Sequence, residues 1–262
     1  MPHIDLDTSS DLNKKTKILC TFGWRMALAG AETRLIMRCC HDMAKAMHVI
    51  NPEFTLTRSF FLVRCCDGNS HYAERIAKIK SLGINMNSVT RLNFIANDVI
   101  SGEITDLDLI YHKIRAVRPA HYNKNMLIPI EAFAAAAFAY CNGGSTTVCL
   151  AALIGGFMLM FFKFWLLKKG FFETFVFMAC AFLGCATTYI MCTYVLNASA
   201  EETRLAIMAT TLLLVPGFPY MNGFLDIFKG YLEIGVMRLV YSIILTACAA
   251  SGLLGALYLM WI

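Results

Sequence analysis

The second half of the chain is a series of long apolar segments joined by short polar connections. Residues 126–262 contain only 6 Lys/Arg and 6 Asp/Glu, whereas residues 1–125 contain 17 and 12. A helix of about 20 apolar residues is long enough to cross the hydrocarbon core of a bilayer. The contrast predicts a polar, basic N-terminal half followed by a membrane domain.

Five membrane-spanning helices are expected in the apolar half. In chain order they cover about 126–141, 145–166, 171–196, 204–221 and 239–262, and the first is short and rich in alanine. Lys and Arg precede the first span and follow the second and fourth, while the other two connections contain none. Because basic connections stay on the cytoplasmic side, we expect the N-terminal half in the cytoplasm and the C terminus outside.

Four regions are expected along the chain. Residues 1–16 have no apolar signal segment and are expected to form a disordered tail. Residues 17–118 are expected to form a cytoplasmic α+β domain, 119–125 a basic linker and 126–262 the five-helix transmembrane domain. The fold class is therefore an α-helical membrane protein with an N-terminal cytoplasmic α+β domain and five transmembrane helices.

The N-terminal domain shows both helical and strand patterns. Apolar residues recur at three- and four-residue steps from about Leu12 to Val49, which predicts helix with an interruption at Gly30. Residues 54–66 are rich in Thr, Phe and Val and predict one or two strands. DGNS (67–70) has turn chemistry, and HYAERIAKI after it fits strand or helix, of which we favour strand. Two short amphipathic helices are expected at 88–100 and 106–117.

The stretch VPGFPYMNGFLDIFKG, residues 215–230, interrupts the fourth apolar segment. Pro216 and Pro219 each lack a backbone donor, and Gly217 between them loosens the chain further. Broken backbone at membrane depth is tolerated only where protein or a water-filled cavity satisfies it. Transporters build substrate sites from such broken helices. The alternative is that the span simply ends at Pro216.

A polar stripe follows the break. Asn222, Asp226 and Lys229 are spaced four and three apart, so in a helix they lie on one face, which Glu233 extends. A charge in the middle of a bilayer is costly, at about 2.5–3.5 kcal/mol on insertion scales. The stripe therefore predicts a polar pathway in which Asp226 and Lys229 form a charge pair. An amphipathic cytoplasmic helix with an ordinary surface pair is the alternative.

Three segments together resemble a known family. LLLVPGFPYMNGFLDIFKGYLEIGVMR closely resembles the LVPGFP–N–D–KG–R signature of the threonine/serine exporter family, in particular its YjjP-like half. AGAETRLIMR (29–38) resembles that family's N-terminal segment, and CNGGS (141–145) its turn after the first span. The resemblance covers residues 17–262. Tyr220, where an aliphatic residue is expected, and the alanine run at 134–137 depart from the pattern.

The resemblance implies one subunit of a two-component secondary exporter in the cell inner membrane. Its substrates would be small polar metabolites, either threonine/serine-type amino acids or C4 dicarboxylates such as succinate. The partner would be a second, smaller membrane subunit of the same family, or further copies of this chain. The other hypothesis, from a different class, is a membrane-anchored sensor or scaffold whose cytoplasmic domain binds a ligand or a partner.

Other polar residues are candidates for the pathway. Glu32 and Thr33 follow Gly30 and fit either a cytoplasmic gate, which the family match favours, or ordinary helix-start chemistry. Arg34 and Arg38, one turn apart, fit attraction of carboxylate substrates or a solvated helix face. In the first span, Glu131 fits proton coupling or an interfacial position beside Lys124.

Several function classes have no support in the sequence. The 11 cysteines form no CxxC, the scattered histidines have no metal-ligand spacing, and we expect reduced structural thiols and no metal or other cofactor. There is no phosphate-binding GxxxxGKS/T and no basic patch interleaved with aromatic residues, so neither ATP-driven transport nor nucleic-acid binding is expected. No nucleophile–base pair indicates an enzyme. Small residues at Gly155-Gly156, Gly184, Gly252 and Gly255 suit close helix packing, within the chain or against a partner.

Overall fold

The chain folds into two compact units in the computed structural model, which describes residues 6–66, 71–79, 83–120 and 122–260. Unit 1 contains Met1–His121 and Met221–Arg238. Unit 2 contains Tyr122–Tyr220 and Leu239–Ile262. The sequence division had left residues 221–238 entirely in the membrane half. The chain instead returns to its first unit within α9, just after the proline-containing break, and composition alone does not reveal this.

Unit 1 combines helices with a small antiparallel sheet. Its sheet has the order β1-β2-β3, with Phe61 of β2 opposite Leu56 on one side and Ala77 on the other. The N-terminal elements are α1 (Leu6–Leu28), α2 (Thr33–Ala46), β1 (Ile50–Leu56), β2 (Phe60–Cys66), β3 (Tyr72–Lys78), α3 (Met86–Ile100) and α4 (Leu107–Ala116). The later part of α9 (Gly217–Phe228) and the start of α10 (Leu232–Leu259) complete the unit.

The core of unit 1 forms where α1 covers the sheet. Ile18, Leu19, Phe22 and Met26 of α1 are fully buried, as their helical spacing predicts. Strand β2 alternates buried and less buried side chains, as expected for a sheet with one covered face. A Cβ at Gly23 would lie 2.2 Å from the Phe61 ring, so only glycine lets helix and strand approach this closely.

The sequence predicts most elements of unit 1 correctly. The two strands within 54–66, the strand at HYAERIAKI and the two short helices are all confirmed, whereas the DGNS turn lies outside the described residues. The disordered tail is wrong for its later part, because α1 begins at Leu6. Leu12 and Thr16 are buried in the unit, so burial of apolar surface orders a segment that looked polar in isolation.

Unit 2 is built from apolar helices. Its elements are α5 (Lys124–Cys141), α6 (Thr146–Lys168), α7 (Glu173–Ile190) extended by a π-helical turn (Met191–Val195), α8 (Ala200–Thr211) extended by a 3₁₀ turn (Leu212–Leu214), and most of α10. Buried hydroxyls pair inside this apolar unit, since Thr188 Oγ1 lies 3.0 Å from Thr210 Oγ1. A Cβ at Gly155 would lie 1.9 Å from that Thr188 oxygen.

Within the described residues, three helices are long and apolar enough to cross a membrane. They are Thr146–Lys168, Glu173–Val195 and Leu232–Leu259. The pair Ala200–Leu214 and Gly217–Phe228 meets the same criteria together but is bent by 62°, so it is one broken span or a re-entrant segment. The structure thus supports three spans, or four with the bent pair. The first of the five predicted spans corresponds to α5 and stays a prediction.

Candidate functional site

Two turns bring the candidate residues of unit 1 together. Helix α1 ends at Gly30, whose φ of +82° places it in the left-handed region that glycine enters without steric cost. The Gly30 and Ala31 amides donate to the carbonyls of Ala27 and Met26, which is a Schellman ending. Gly230 (φ +86°) ends α9 in the same way. The first turn leaves the carbonyls of Gly30 and Ala31 available as acceptors.

The break before α9 follows from its prolines. Val215 has an extended ψ of 120°, as expected for a residue before proline. Pro216 ends the preceding helical run, and Pro219 falls in the first turn of α9, where a missing amide costs little. A Cβ at Gly217 would meet no atom within 4 Å, so this glycine is not required by packing.

Asp226 is the centre of a buried polar cluster. Its side chain is fully buried; Oδ1 accepts from the Thr33 backbone amide at 3.3 Å and Oδ2 accepts from Arg238 Nη1 at 2.7 Å. Arg238 is 4% exposed and also donates to the carbonyl of Ala31 at 3.4 Å. The carboxylate therefore caps the first turn of α2, where the helix dipole favours a negative charge.

Two further contacts join the same segments. Asn222, 8% exposed, donates from Nδ2 to the Gly30 carbonyl at 3.1 Å. Lys229 forms an ion pair of 2.5 Å with Glu32, in which both side chains are about one quarter exposed, at 27% and 25%. Four side chains therefore hold the AGAET turn (29–33) against the segment that follows the break: Asn222 and Asp226 of α9, Lys229 of the turn after it, and Arg238 of α10.

The predicted Asp226–Lys229 pair is wrong. Their three-residue spacing puts both on one stripe, as expected, but each side chain finds an opposite charge outside α9. Asp226 pairs with Arg238 and Lys229 pairs with Glu32. The alternative of an exposed surface pair is also wrong, because Asp226 is fully buried. The partner of Asp226 is Arg238, the final residue of the LVPGFP–N–D–KG–R signature.

The structure places the other predicted site residues in three locations. Glu32 and Thr33 belong to the buried cluster with Asn222 and Asp226. Pro216, Gly217 and Pro219 form the break, and Glu131 is a half-buried residue of α5 in unit 2. There, Lys163 lies within electrostatic range of the carboxylates of Glu131 and Glu173. The described residues contain no group of three or more His, Cys, Asp or Glu side chains arranged to hold a metal ion.

An open cleft of about 780 Å³ lies beside the cluster within unit 1. Its lining combines α2, β1 and the start of α10: Thr33, Arg34, Met37, Arg38, His41, Phe54, Thr55, Leu56, Gly230, Tyr231, Leu232, Glu233 and Ile234. Its volume is in the range of small-molecule sites. The hydroxyl of Thr33 is buried beside Asp226 but makes no hydrogen bond of acceptable geometry within the described part of the chain.

Comparisons with known proteins agree with the resemblance of the motifs. The family described as "Putative threonine/serine exporter" matches residues 17–260. "Probable succinate transporter subunit YjjP" of Klebsiella aerogenes is 27% identical over 235 residues, covering 88% of each chain. The protein of that name from Escherichia coli K12 is 25% identical over 245 residues, covering 92% of this chain and 93% of the relative. No solved structure matches.

Proposed function

Because the chain belongs to the threonine/serine exporter family, we propose that it is one subunit of a secondary exporter for small carboxylate-bearing metabolites. The family and the apolar helices make it an integral membrane transport protein. Two relatives are described as succinate transporter subunits. We therefore take a C4 dicarboxylate such as succinate as the leading substrate and threonine or serine as the alternative.

The observation that carries the proposal is the buried Asp226–Arg238 pair between α9, α10 and the first turn of α2. A buried ion pair is weak evidence for stability, because desolvation of two charges offsets most of their attraction. Such a pair is better suited to a switch, in which each charge exchanges one partner for another. An anionic substrate can take the place of Asp226 on Arg238, or of Glu32 on Lys229.

The broken helix gives this exchange a mechanical role. Substrate carboxylate at Arg238 or Lys229 would loosen the AGAET turn, since both side chains are among the four that hold it. The Pro216–Pro219 break would absorb the resulting movement, as hinge positions do in domain closure. Glu131 would be the proton-coupling acid of unit 2. In this scheme the charged residues alternate between pairing with each other and pairing with substrate.

The proposed setting is the inner membrane, with the N-terminal domain in the cytoplasm and the C terminus outside. Within the described residues, three long apolar helices and one bent pair are few helices to enclose a pathway. We therefore propose that a second, smaller membrane subunit completes the pathway, with further copies of this chain as the other arrangement. The word "subunit" in the descriptions of the two relatives supports a partner.

Efflux measurements test the proposal. Cells preloaded with labelled succinate, threonine or serine are expected to export at least one of them when the chain and its partner subunit are both present. Asp226→Asn is expected to abolish efflux, because Oδ2 then no longer carries charge opposite Arg238. Lys229→Met is expected to lower efflux about tenfold, since its pair is partly exposed and weaker.

Two matched variants sharpen this test. The exchange Glu32→Lys with Lys229→Glu retains the pair in reverse and is expected to recover part of the efflux that Lys229→Met loses. Asp108→Asn removes an exposed ion pair with Lys14 elsewhere in unit 1 and is expected to have no effect. Absence of efflux for every substrate, with both subunits correctly inserted, would point instead to the sensor or scaffold function. Efflux insensitive to Asp226→Asn would exclude the switch.

Thiol labelling tests the proposed orientation. Cys141 at the end of α5 is exposed and lies in the connection expected outside the cell. A membrane-impermeant maleimide is therefore expected to label intact cells, and Cys141→Ser is expected to remove most of that signal. In unit 1, burial raises the pKa of Cys20 to about 11, so at neutral pH it has almost no reactive thiolate. Labelling of Cys141 only after permeabilisation would reverse the topology.

A further inference from the structure

The lining of the cleft in unit 1 has two arginines and one acidic residue, so positive charge is in excess. Arg34 and Arg38 are exposed, lie one turn apart on α2 and line the cleft together with His41. Neither arginine forms an ion pair within the part of the chain that the structure describes. Arginine presents a planar fork of donors that matches a carboxylate, so two such forks on one wall are suited to a ligand with two carboxylates.

The position of Arg34 on α2 strengthens this reading. It is the second residue of the helix, where the dipole is positive, and the first turn of α2 contains no acidic residue. The two carboxylates at that helix end already have partners, since Glu32 pairs with Lys229 and Asp226 with Arg238. A cation placed at a helix N-terminus without its own counter-charge is unfavourable in the empty protein and favourable once an anion binds.

A second, independent feature is the hydroxyl of Thr33. Thr33 is fully buried, lines the same cleft and has no hydrogen-bond partner of acceptable geometry for Oγ1 within the described residues. The hydroxyl interacts with the Asp226 carboxylate but falls short of a well-formed hydrogen bond, and a buried hydroxyl is more stable when it has a well-placed acceptor. An anion held by Arg34 would bring an acceptor to this end of the cleft.

Glu233 is the acidic residue among the cleft-lining side chains. It falls in the first turn of α10, where the helix dipole stabilises a carboxylate without further help. A zwitterionic amino acid would need Glu233 for its ammonium group and only one of the arginines for its carboxylate. A dicarboxylate uses both arginines, so the charge pattern fits the dianion better.

On these grounds we propose that the cleft formed by α2, β1 and the start of α10 binds a small dicarboxylate, with Arg34 and Arg38 each holding one carboxylate. This rests on the proposed export function and gives its proposed substrate a binding site within unit 1. The cleft adjoins the AGAET turn, since Thr33 belongs to both. Ligand binding there would therefore be coupled to the Asp226–Arg238 pair, and the cleft would load substrate from the cytoplasm.

Equilibrium binding to the purified full-length chain in lipid nanodiscs tests this inference, with labelled succinate and threonine as probes. Wild type is expected to bind succinate more tightly than threonine. The double variant Arg34→Gln/Arg38→Gln is expected to weaken succinate binding at least tenfold, and Arg38→Lys, which keeps the charge but not the fork, about threefold to tenfold. Arg91→Gln, an exposed arginine of α3 outside the cleft, is the matched control and is expected to bind as wild type.

Glu233→Gln separates the two substrate classes. It is expected to leave succinate binding unchanged or tighter, because it removes a negative charge from the cleft. If threonine binds more tightly than succinate and Glu233→Gln abolishes its binding, the cleft is an amino-acid site and the assignment is wrong. Succinate binding that is absent in wild type, or unchanged in a correctly folded double variant, also overturns it.

The result can be told apart from failure of the export function. If succinate efflux persists and succinate binding is unchanged in the double variant, the export function stands and the proposed binding site in the cleft is wrong. If succinate binds in the cleft but is not exported when the partner subunit is present, the proposed binding site stands and the sensor function is favoured. Thermal unfolding of each variant shows whether a loss of binding reflects a loss of structure.

Discussion

Replacing Asp226 with alanine is expected to lower the free energy of unfolding of unit 1 by about 3–5 kcal/mol, because it leaves a buried cation without its counter-charge. Arg238 is 4% exposed, and its Nη1 lies 2.7 Å from the Asp226 carboxylate. The substitution also removes the acceptor of the Thr33 amide, so the first amide of α2 loses its cap. Both effects act on the same turn, which makes this the largest expected effect in unit 1.

Thermal unfolding measured by tryptophan fluorescence suits this prediction, since Trp24 belongs to unit 1 and its indole donates to the Lys78 carbonyl at 2.9 Å. A loss of this size corresponds to a fall in melting temperature of roughly 10 °C. Asp108→Ala is the control, because it removes an ion pair with side chains 52% and 68% exposed. Such pairs contribute little, so its melting temperature is expected to stay near that of wild type.

The double variant Asp226→Leu/Arg238→Met distinguishes pairing from simple loss of contacts. Replacing a buried ion pair by apolar side chains of similar volume is often neutral or stabilising. We therefore expect the double variant to be more stable than Asp226→Ala and yet unable to support efflux. A double variant as unstable as the sum of the two single ones would contradict this account. Retained efflux in it would show that the pair is structural only.

Asp226 and Lys229 show which part of the candidate site can be predicted from the sequence and which part cannot. Their spacing in the motif correctly predicts that Asn222 and Asp226 lie in one helix, whereas Lys229 falls in the turn directly after it. It cannot predict their partners, because Glu32 and Arg238 are brought to them by the fold of unit 1. Glu32 lies 197 positions from Lys229, and Arg238 lies 12 positions from Asp226 beyond the turn at Gly230. The periodicity of a single helix carries no information about either contact.

The division of the chain shows a related limit. Composition separates polar from apolar halves, and that contrast places residues 221–238 with the apolar half. In the structure the segment packs with the N-terminal elements, and its Ile234 belongs to their apolar core. In the sequence, only the polar stripe indicates that residues 221–238 pack with the N-terminal elements. Polar side chains on one face of a segment need polar groups to contact. The prediction of a disordered tail at 1–16 has the same limit, because Leu12 is buried only through its contacts with the rest of unit 1.

The sequence does not show whether the small residues of the apolar helices pack within the chain or against a partner. The structure decides this for Gly252. An added Cβ there would lie 2.0 Å from the Met178 carbonyl oxygen of α7, within unit 2. At Gly255, one turn further along α10, the nearest atom to an added Cβ is a Phe182 ring carbon at 3.8 Å, an ordinary contact distance.

Gly252→Ala and Gly255→Ala are therefore expected to act in opposite directions. At Gly252 the obstructing atom belongs to the backbone, so α7 and α10 must separate, and the expected loss of stability is about 3 kcal/mol or more. At Gly255 the methyl group meets no clash, and alanine is the better helix former by about 1 kcal/mol. The two single-methyl changes on one helix form a matched pair, read out as folded protein recovered from the membrane and its melting temperature. Equal tolerance of both would mean that α7 and α10 do not pack at Gly252, whereas sensitivity at Gly255 alone would indicate that a partner subunit covers that position.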